Sequence, residues 1–138
     1  MFQISDSYDA CWMFGPCDLA FTAMEAAYTH GDAWVDQQLA YLEGNVETVN
    51  TFVAEHMPGV QVTKHEGTFL MWLDMTCFGK SSQELTSILA KEYGLALGDG
   101  SHYGTQAEGF MRLNIGCTRD TLIKGLEQMA VMYDKYVK

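Results

Sequence analysis

Six apolar residues, Val35, Leu39, Leu42, Val46, Val49 and Val53, recur alternately four and three positions apart, with Asp36, Gln38, Glu43, Glu47 and Asn50 off the line. That spacing describes one continuous amphipathic helix. Asp32 is placed to cap its start, and Pro58 disfavours helical geometry in Met57, which sets its end. Gly44, in the middle, costs about 1 kcal/mol relative to alanine, a penalty that six aligned positions outweigh. A helix of about 24 residues is about 36 Å long at 1.5 Å per residue. A small compact domain needs less, so one end of this helix is expected to lean on something else.

The elements around it are shorter. Asp18 is expected to cap a helix through Tyr28 that ends at His30-Gly31, with Gly31 in a left-handed turn. After the long helix, Val60 and Val62 alternate with Gln61 and Thr63 as a short strand. Gly67–Asp74 reads as a second strand, with Phe69, Met71 and Leu73 on one face and Leu70 and Trp72 on the other. Two apolar faces make it a central strand. Ser81 and Glu84 match a capping box for a helix that buries Leu85, Ile88 and Leu89 and closes at Gly94. Leu95–Leu97 reads as a strand, 98–109 as a polar loop and Phe110–Ile115 as the last strand. A final helix from Thr118 or Asp120 aligns Leu122, Leu126, Met129, Tyr133 and Tyr136. Helices and a few short strands in this order predict an α+β domain, a small mostly antiparallel sheet with helices packed on one face. Residues 1–17 hold two of the four cysteines, Trp12 and the Gly15-Pro16 pair without a sustained period, and stay unassigned; 18–138 form the domain.

Charge narrows the partners. Eight Lys+Arg against 18 Asp+Glu give a formal net charge of −10, which argues against nucleic acid and against an anionic membrane surface. No apolar run is longer than Phe69–Leu73, far short of the roughly 20 residues that span a bilayer. Asp6 and Asp9 stand where a signal peptide would be basic and apolar, so the cytoplasm is the expected compartment. Cys11, Cys17, Cys77 and Cys117 lack the spacing of a zinc knuckle and read as reduced thiols, though a Cys11–Cys17 bond stays open. No two histidines stand three or four apart as in a zincin helix, and no nucleophile elbow is present, so neither a metal nor a catalytic residue is assigned. Trp34, Trp72 and the tyrosines read as core or interface residues.

Arg112 is the most informative residue. It shares a strand face with Phe110 and Asn114, opposite Met111, Leu113 and Ile115. A guanidinium within an apolar strand either pairs with an internal acid, lies on a solvated face, or serves a planar anion, for which its fork suits a carboxylate. The twelve-residue loop before it places Asp99, Gly100, Ser101, His102 and Tyr103 beside flexible glycines. A loop of that length is either a surface excursion or a functional segment. It has no P-loop sequence.

Three segments in order carry a family resemblance: AMEAAYTHGDAWVDQQLAYLEGNV, MPGVQVTKHEGTFLMWLDM and LALGDGSHYGTQAEGFMRLNIGC, followed by the closing helix. Together they resemble the C-terminal small domain of fold-type I enzymes that use pyridoxal phosphate, in the cystathionine β-lyase (C–S lyase) branch of the class I/II aminotransferases. The resemblance implies that Arg112 grips the α-carboxylate of an amino-acid substrate. It implies that Asp99, Gly100, Ser101, His102 and Tyr103 border the active-site mouth, and that the long helix connects to a cofactor domain. The family's cofactor lysine, phosphate loop and ring-tuning Asp and Tyr have no counterpart here. Lys64, Lys80, Lys91, Lys124, Lys135 and Lys138 all lie outside the Schiff-base motif. A pyridoxal enzyme needs that imine, so the chain reads as a truncated domain that binds no cofactor of its own. The alternative is a non-catalytic module that self-associates as a homo-oligomer, through Phe14–Val46.

Overall fold

The computed structural model describes residues 17–137. The unassigned segment up to residue 16, the Cys11 half of the conceivable disulfide, and Phe14 all lie outside the described residues. Two compact units divide between Gln38 and Leu39.

The first unit holds α1 (Asp18–His30) and the opening turns of α2 (Asp32–His56). Both helix starts differ from expectation by one position. Cys17, in extended geometry and without a side-chain bond, occupies the cap of α1, so Asp18 is already helical. Gly31 carbonyl accepts from the Trp34 and Val35 amides, and Asp32 becomes the first residue of α2. There its charge complements the helix dipole. Gly31 is not left-handed either, with φ −86°. It is required by proximity, because a Cβ there would lie 2.3 Å from Ala27 O.

The second unit contains the rest of α2 and a four-stranded antiparallel sheet in the order β1-β2-β4-β3. Its strands are β1 (Gln61–Val62), β2 (Leu70–Asp74), β3 (Gly98–Asp99) and β4 (Phe110–Asn114). α3 (Ser82–Tyr93) and α4 (Arg119–Tyr136) complete it. The expected α+β class holds, with β2 in an interior position. The inner face of the sheet presents Met71, Leu73 and Met111, with Ile115 just beyond β4. These bury against Leu42, Val49 and Val53 of α2, Leu85 and Leu89 of α3, and Leu122, Leu126, Met129 and Met132 of α4. The expected strand at Leu95–Leu97 falls instead on the next two residues, and 95–97 enter in extended coil after the left-handed Gly94 (φ 65°). The capping box forms as expected: Ser81 Oγ accepts from the Glu84 amide while the Glu84 carboxylate accepts from the Ser81 amide. Thr118 caps α4.

Only one half of the long stripe is used within this unit. The buried residues of α2 are Leu42, Asn45, Val49 and Val53, whereas Val35, Leu39 and Trp34 are exposed, Trp34 by 67%. No helix among the described residues is long and apolar enough to cross a membrane.

Candidate functional site

The register of the sheet builds the site. Arg112 stands opposite Trp72 of β2 on one side and Gly98 of β3 on the other. All three lie on the face turned away from the helices, since Met71, Leu73 and Met111 alternate with them into the core. Gly98 leaves room for the arginine stem: a Cβ there would lie 3.1 Å from both Cβ and Nε of Arg112. The guanidinium carbon lies 4.9 Å from the centre of the Tyr103 ring. Tyr103 in turn meets Trp72 edge to face, centroids 5.2 Å apart at 85°. A cation on an aromatic face keeps its in-plane N–H groups directed outward.

Three readings of Arg112 stood open. Among the described residues its guanidinium has no ion pair and no hydrogen bond; the acid-base pairs there are His56–Glu55, Lys64–Glu66 and Lys135–Glu92. It is also half-buried rather than solvated. Instead it lines a cavity of about 340 Å³ with Trp72, Lys64, His65, Gly67 and Thr68. Its N–H edge therefore lies at a cavity wall without an acid partner among the described residues.

The loop of 98–109 is more ordered than a polar excursion. Two 3-10 turns, Gly100–Tyr103 and Thr105–Ala107, fill it. Asp99 Oδ1 accepts from the Ser101 amide at 2.8 Å and from Ser101 Oγ at 2.7 Å, capping the first turn. Gly100 is buried, and a Cβ on it would lie 2.4 Å from both Ala107 O and Phe110 O. The far end is stapled to α3. Ser82 Oγ accepts from the Gly109 amide at 2.7 Å, and Glu108 accepts from the Ser82 amide at 2.6 Å. Of the five loop residues singled out, Tyr103 alone touches Arg112 in this way. Asp99, Gly100 and Ser101 shape the turn that delivers it, and exposed His102 does not line the Arg112 cavity.

Two contributors escaped the sequence reading. Trp72, expected in a core or interface, belongs to the outer sheet face as the edge-to-face partner of Tyr103; its parity with Leu70 was the available signal. His65 lines the Arg112 cavity, and its Nε2 is buried without a hydrogen-bond partner among the described residues. The following Thr68 has φ 69°, an uncommon conformation for a β-branched residue.

Other chemistries find little support. Burial, reinforced by the Asp74 charge, pushes the Cys77 thiol up, the reverse of an activated nucleophile. No group of three or more potential metal ligands occurs among the described residues. A pyridoxal group also requires an imine lysine. Lys64 is the one that lines the Arg112 cavity, yet its side chain is 84% exposed and 2.6 Å from Glu66 Oε1. Lys80 and Lys135 lie over the Tyr136 ring, and Lys91 and Lys124 are exposed. The described lysines do not fit the imine side of a pyridoxal site.

No protein-family profile matches the chain. Individual proteins do. Over 110 residues, 80% of this chain and 28% of the other, it is 39% identical to cystathionine β-lyase PatB of Bacillus subtilis. Over 115 residues it is 35% identical to protein MalY of Escherichia coli, again 80% of this chain and 28% of the relative. A PLP-bound protein of Clostridium difficile assigned as an aminotransferase superposes with a TM-score of 0.83 at 32% identity, covering 94% of this chain and 33% of that one. The chain therefore spans about 28% of the length of these curated relatives. Its homologues include cystathionine β-lyases, and its structural neighbours include PLP-bound enzymes.

Proposed function

We propose, from this kinship with one segment of the PLP-dependent cystathionine β-lyases, that the chain carries the substrate-carboxylate side of a C–S lyase or aminotransferase-like site. Arg112 binds the α-carboxylate of an amino acid in two-point contact. Tyr103 and Trp72 hold the guanidinium in place, and the capped 98–109 loop holds Tyr103. The observation that carries this reading is a half-buried guanidinium, free of acid partners among the described residues, at the wall of an open cavity. Pyridoxal phosphate, where a complete enzyme holds it, supplies the electron sink for elimination or amino transfer. The described lysines do not seat it, so the chain by itself is inactive on this reading. The free thiols Cys17, Cys77 and Cys117 suit a reducing cytoplasm.

Titration with L-alanine, followed by amide NMR shifts, tests the carboxylate site. Saturable shifts around 98–103 and 112 that disappear in Arg112→Lys support it; identical shifts in that variant refute it. The cofactor side has its own test. Added pyridoxal phosphate should leave no lysine labelled in stoichiometric amount after borohydride, and one lysine fully labelled overturns the reading.

A second reading rests on a different observation. Leu19, Phe21, Met24, Tyr28, Trp34, Val35 and Leu39 are all exposed, Tyr28 by 86%. An uncovered apolar surface of this kind attracts partners, and self-association of two chains through the segment ending at Val46 covers it.

A further inference from the structure

The ladder between β3 and β4 stops early. Its pairs are Gly98 with Arg112 and Asp99 with Met111, and one more step would set Leu97 opposite Leu113. Residues 95–97 stay in extended coil instead, and a cavity of about 270 Å³ opens between them, the end of β4 and α4. Its deepest lining is Leu122 and Met129, both buried, and Leu95, Leu97 and Leu113 wall it. Asn114 and Thr121, both exposed, give it a polar rim, and no charged side chain lines it.

Gly125, in the interior of α4, also lines this cavity. Glycine is the poorest helix former after proline, so its place needs a reason. At Gly44 the reason is crowding, because a Cβ would lie 2.5 Å from Arg119 Nη2. At Gly125 a Cβ would meet only Leu95 Cδ2, at an ordinary 3.6 Å. The packing of the described residues does not call for glycine there; what glycine does is leave the helix surface bare on the cavity side.

We propose that this cavity is a binding site for a small neutral aromatic molecule, one ring carrying one hydrogen-bonding group. An apolar void of about 150 Å³ already holds benzene, so the space here accepts a ring with a substituent. A flat ring lies against the bare turn at Gly125, beside the Met129 thioether, a group that favours aromatic contacts. Asn114 and Thr121 meet the polar group at the rim. A charged guest would lose water here and find no opposite charge. Leu113 points away from the face that carries Arg112, so the site goes beyond the carboxylate reading and does not depend on it.

The full chain, with isotope-labelled Leu and Met methyls, is titrated in NMR with p-cresol and with benzylamine, a cation at neutral pH. p-Cresol should shift the Leu95, Leu122 and Met129 methyls saturably, and benzylamine should bind at least about tenfold more weakly. Gly125→Leu, which fills the cavity, should abolish p-cresol binding. Gly125→Ala improves helix propensity and meets no clash, so it should melt no lower than the parent while weakening p-cresol about fivefold or more; it decides the matter if the leucine variant does not fold. Arg112→Lys should bind p-cresol as the parent does. Shifts that never saturate, shifts that gather at Trp72 and Tyr103 instead, or equal affinity for benzylamine overturn the inference. So does unchanged affinity in folded Gly125→Ala, or loss of binding in Arg112→Lys.

Discussion

On the proposed reading, a guanidinium seated on an aromatic ring, with no acid partner among the described residues, keeps its forked N–H edge for a guest, and its removal should therefore change binding more than folding. Arg112→Ala is expected to leave the free energy of unfolding within about 0.5 kcal/mol of the parent, measured in urea, while carboxylate binding is lost. Asn45 behaves in the opposite way. It is fully buried, its Nδ2 donates to Ile115 O at 2.8 Å and Cys117 O at 3.2 Å, and its Oδ1 accepts from Arg119 Nε at 2.7 Å. Asn45→Leu strands two carbonyls and a cation, so a loss of about 3 kcal/mol is expected in the same experiment. The two residues differ in how legible they were. Arg112 stood out because a cation interrupts an apolar strand. Asn45 is an ordinary polar residue in a helix, and its partners lie 70 and more positions away, where no local pattern reports them.

Among the elements, the long helix was legible from its period, and so was the capping box of α3. Less legible was why Gly44 stands in the middle of α2. Helix propensity alone counts it as a defect of about 1 kcal/mol. A Cβ there would lie 2.5 Å from Arg119 Nη2, part of a side chain already held by Asn45 and lying over Tyr41. Gly44→Ala should therefore bring no stabilisation in the parent. In an Arg119→Ala background the same change should stabilise by about 1 kcal/mol, and equal effects in both backgrounds contradict the packing explanation. The capping box and the α3–α4 contact also add to the acid limb of stability. The Ser81 amide and hydroxyl hold Glu84 below the usual carboxylate range, and bonds from Lys135 and Tyr136 do the same for Glu92. Each carboxylate contributes stability above its unfolded pKa near 4.5 and loses it as pH falls through the lower folded value. Glu84→Gln with Glu92→Gln should flatten the fall in stability below that pH, and an unaltered acid limb contradicts the assignment. The short strands were less legible. The first and third have two residues each, and pairing rather than pattern defines so brief a strand, which is why the third was expected three residues early.

For the molecule as a whole, the excess length of α2 has a physical consequence. Its second half enters the core and its first half, with α1, carries large apolar side chains in the open. Sedimentation equilibrium should show concentration-dependent dimerisation, weakened by Trp34→Glu; a strict monomer at high concentration argues against pairing of two chains through this surface. The outer sheet face is the other incomplete surface. Its arginine, tyrosine and tryptophan form the wall that we propose receives a carboxylate, and nothing among the described lysines equips the chain to hold the cofactor. Binding of this kind requires that wall to be ready before any guest arrives. The direct measurement is the Arg112 Nε–Hε resonance, recorded while acetate is added to the full chain. A single saturable shift of that resonance, with the Tyr103 ring protons following, is the predicted result. A resonance that does not move, or one that drifts without saturating as for any exposed arginine, contradicts it.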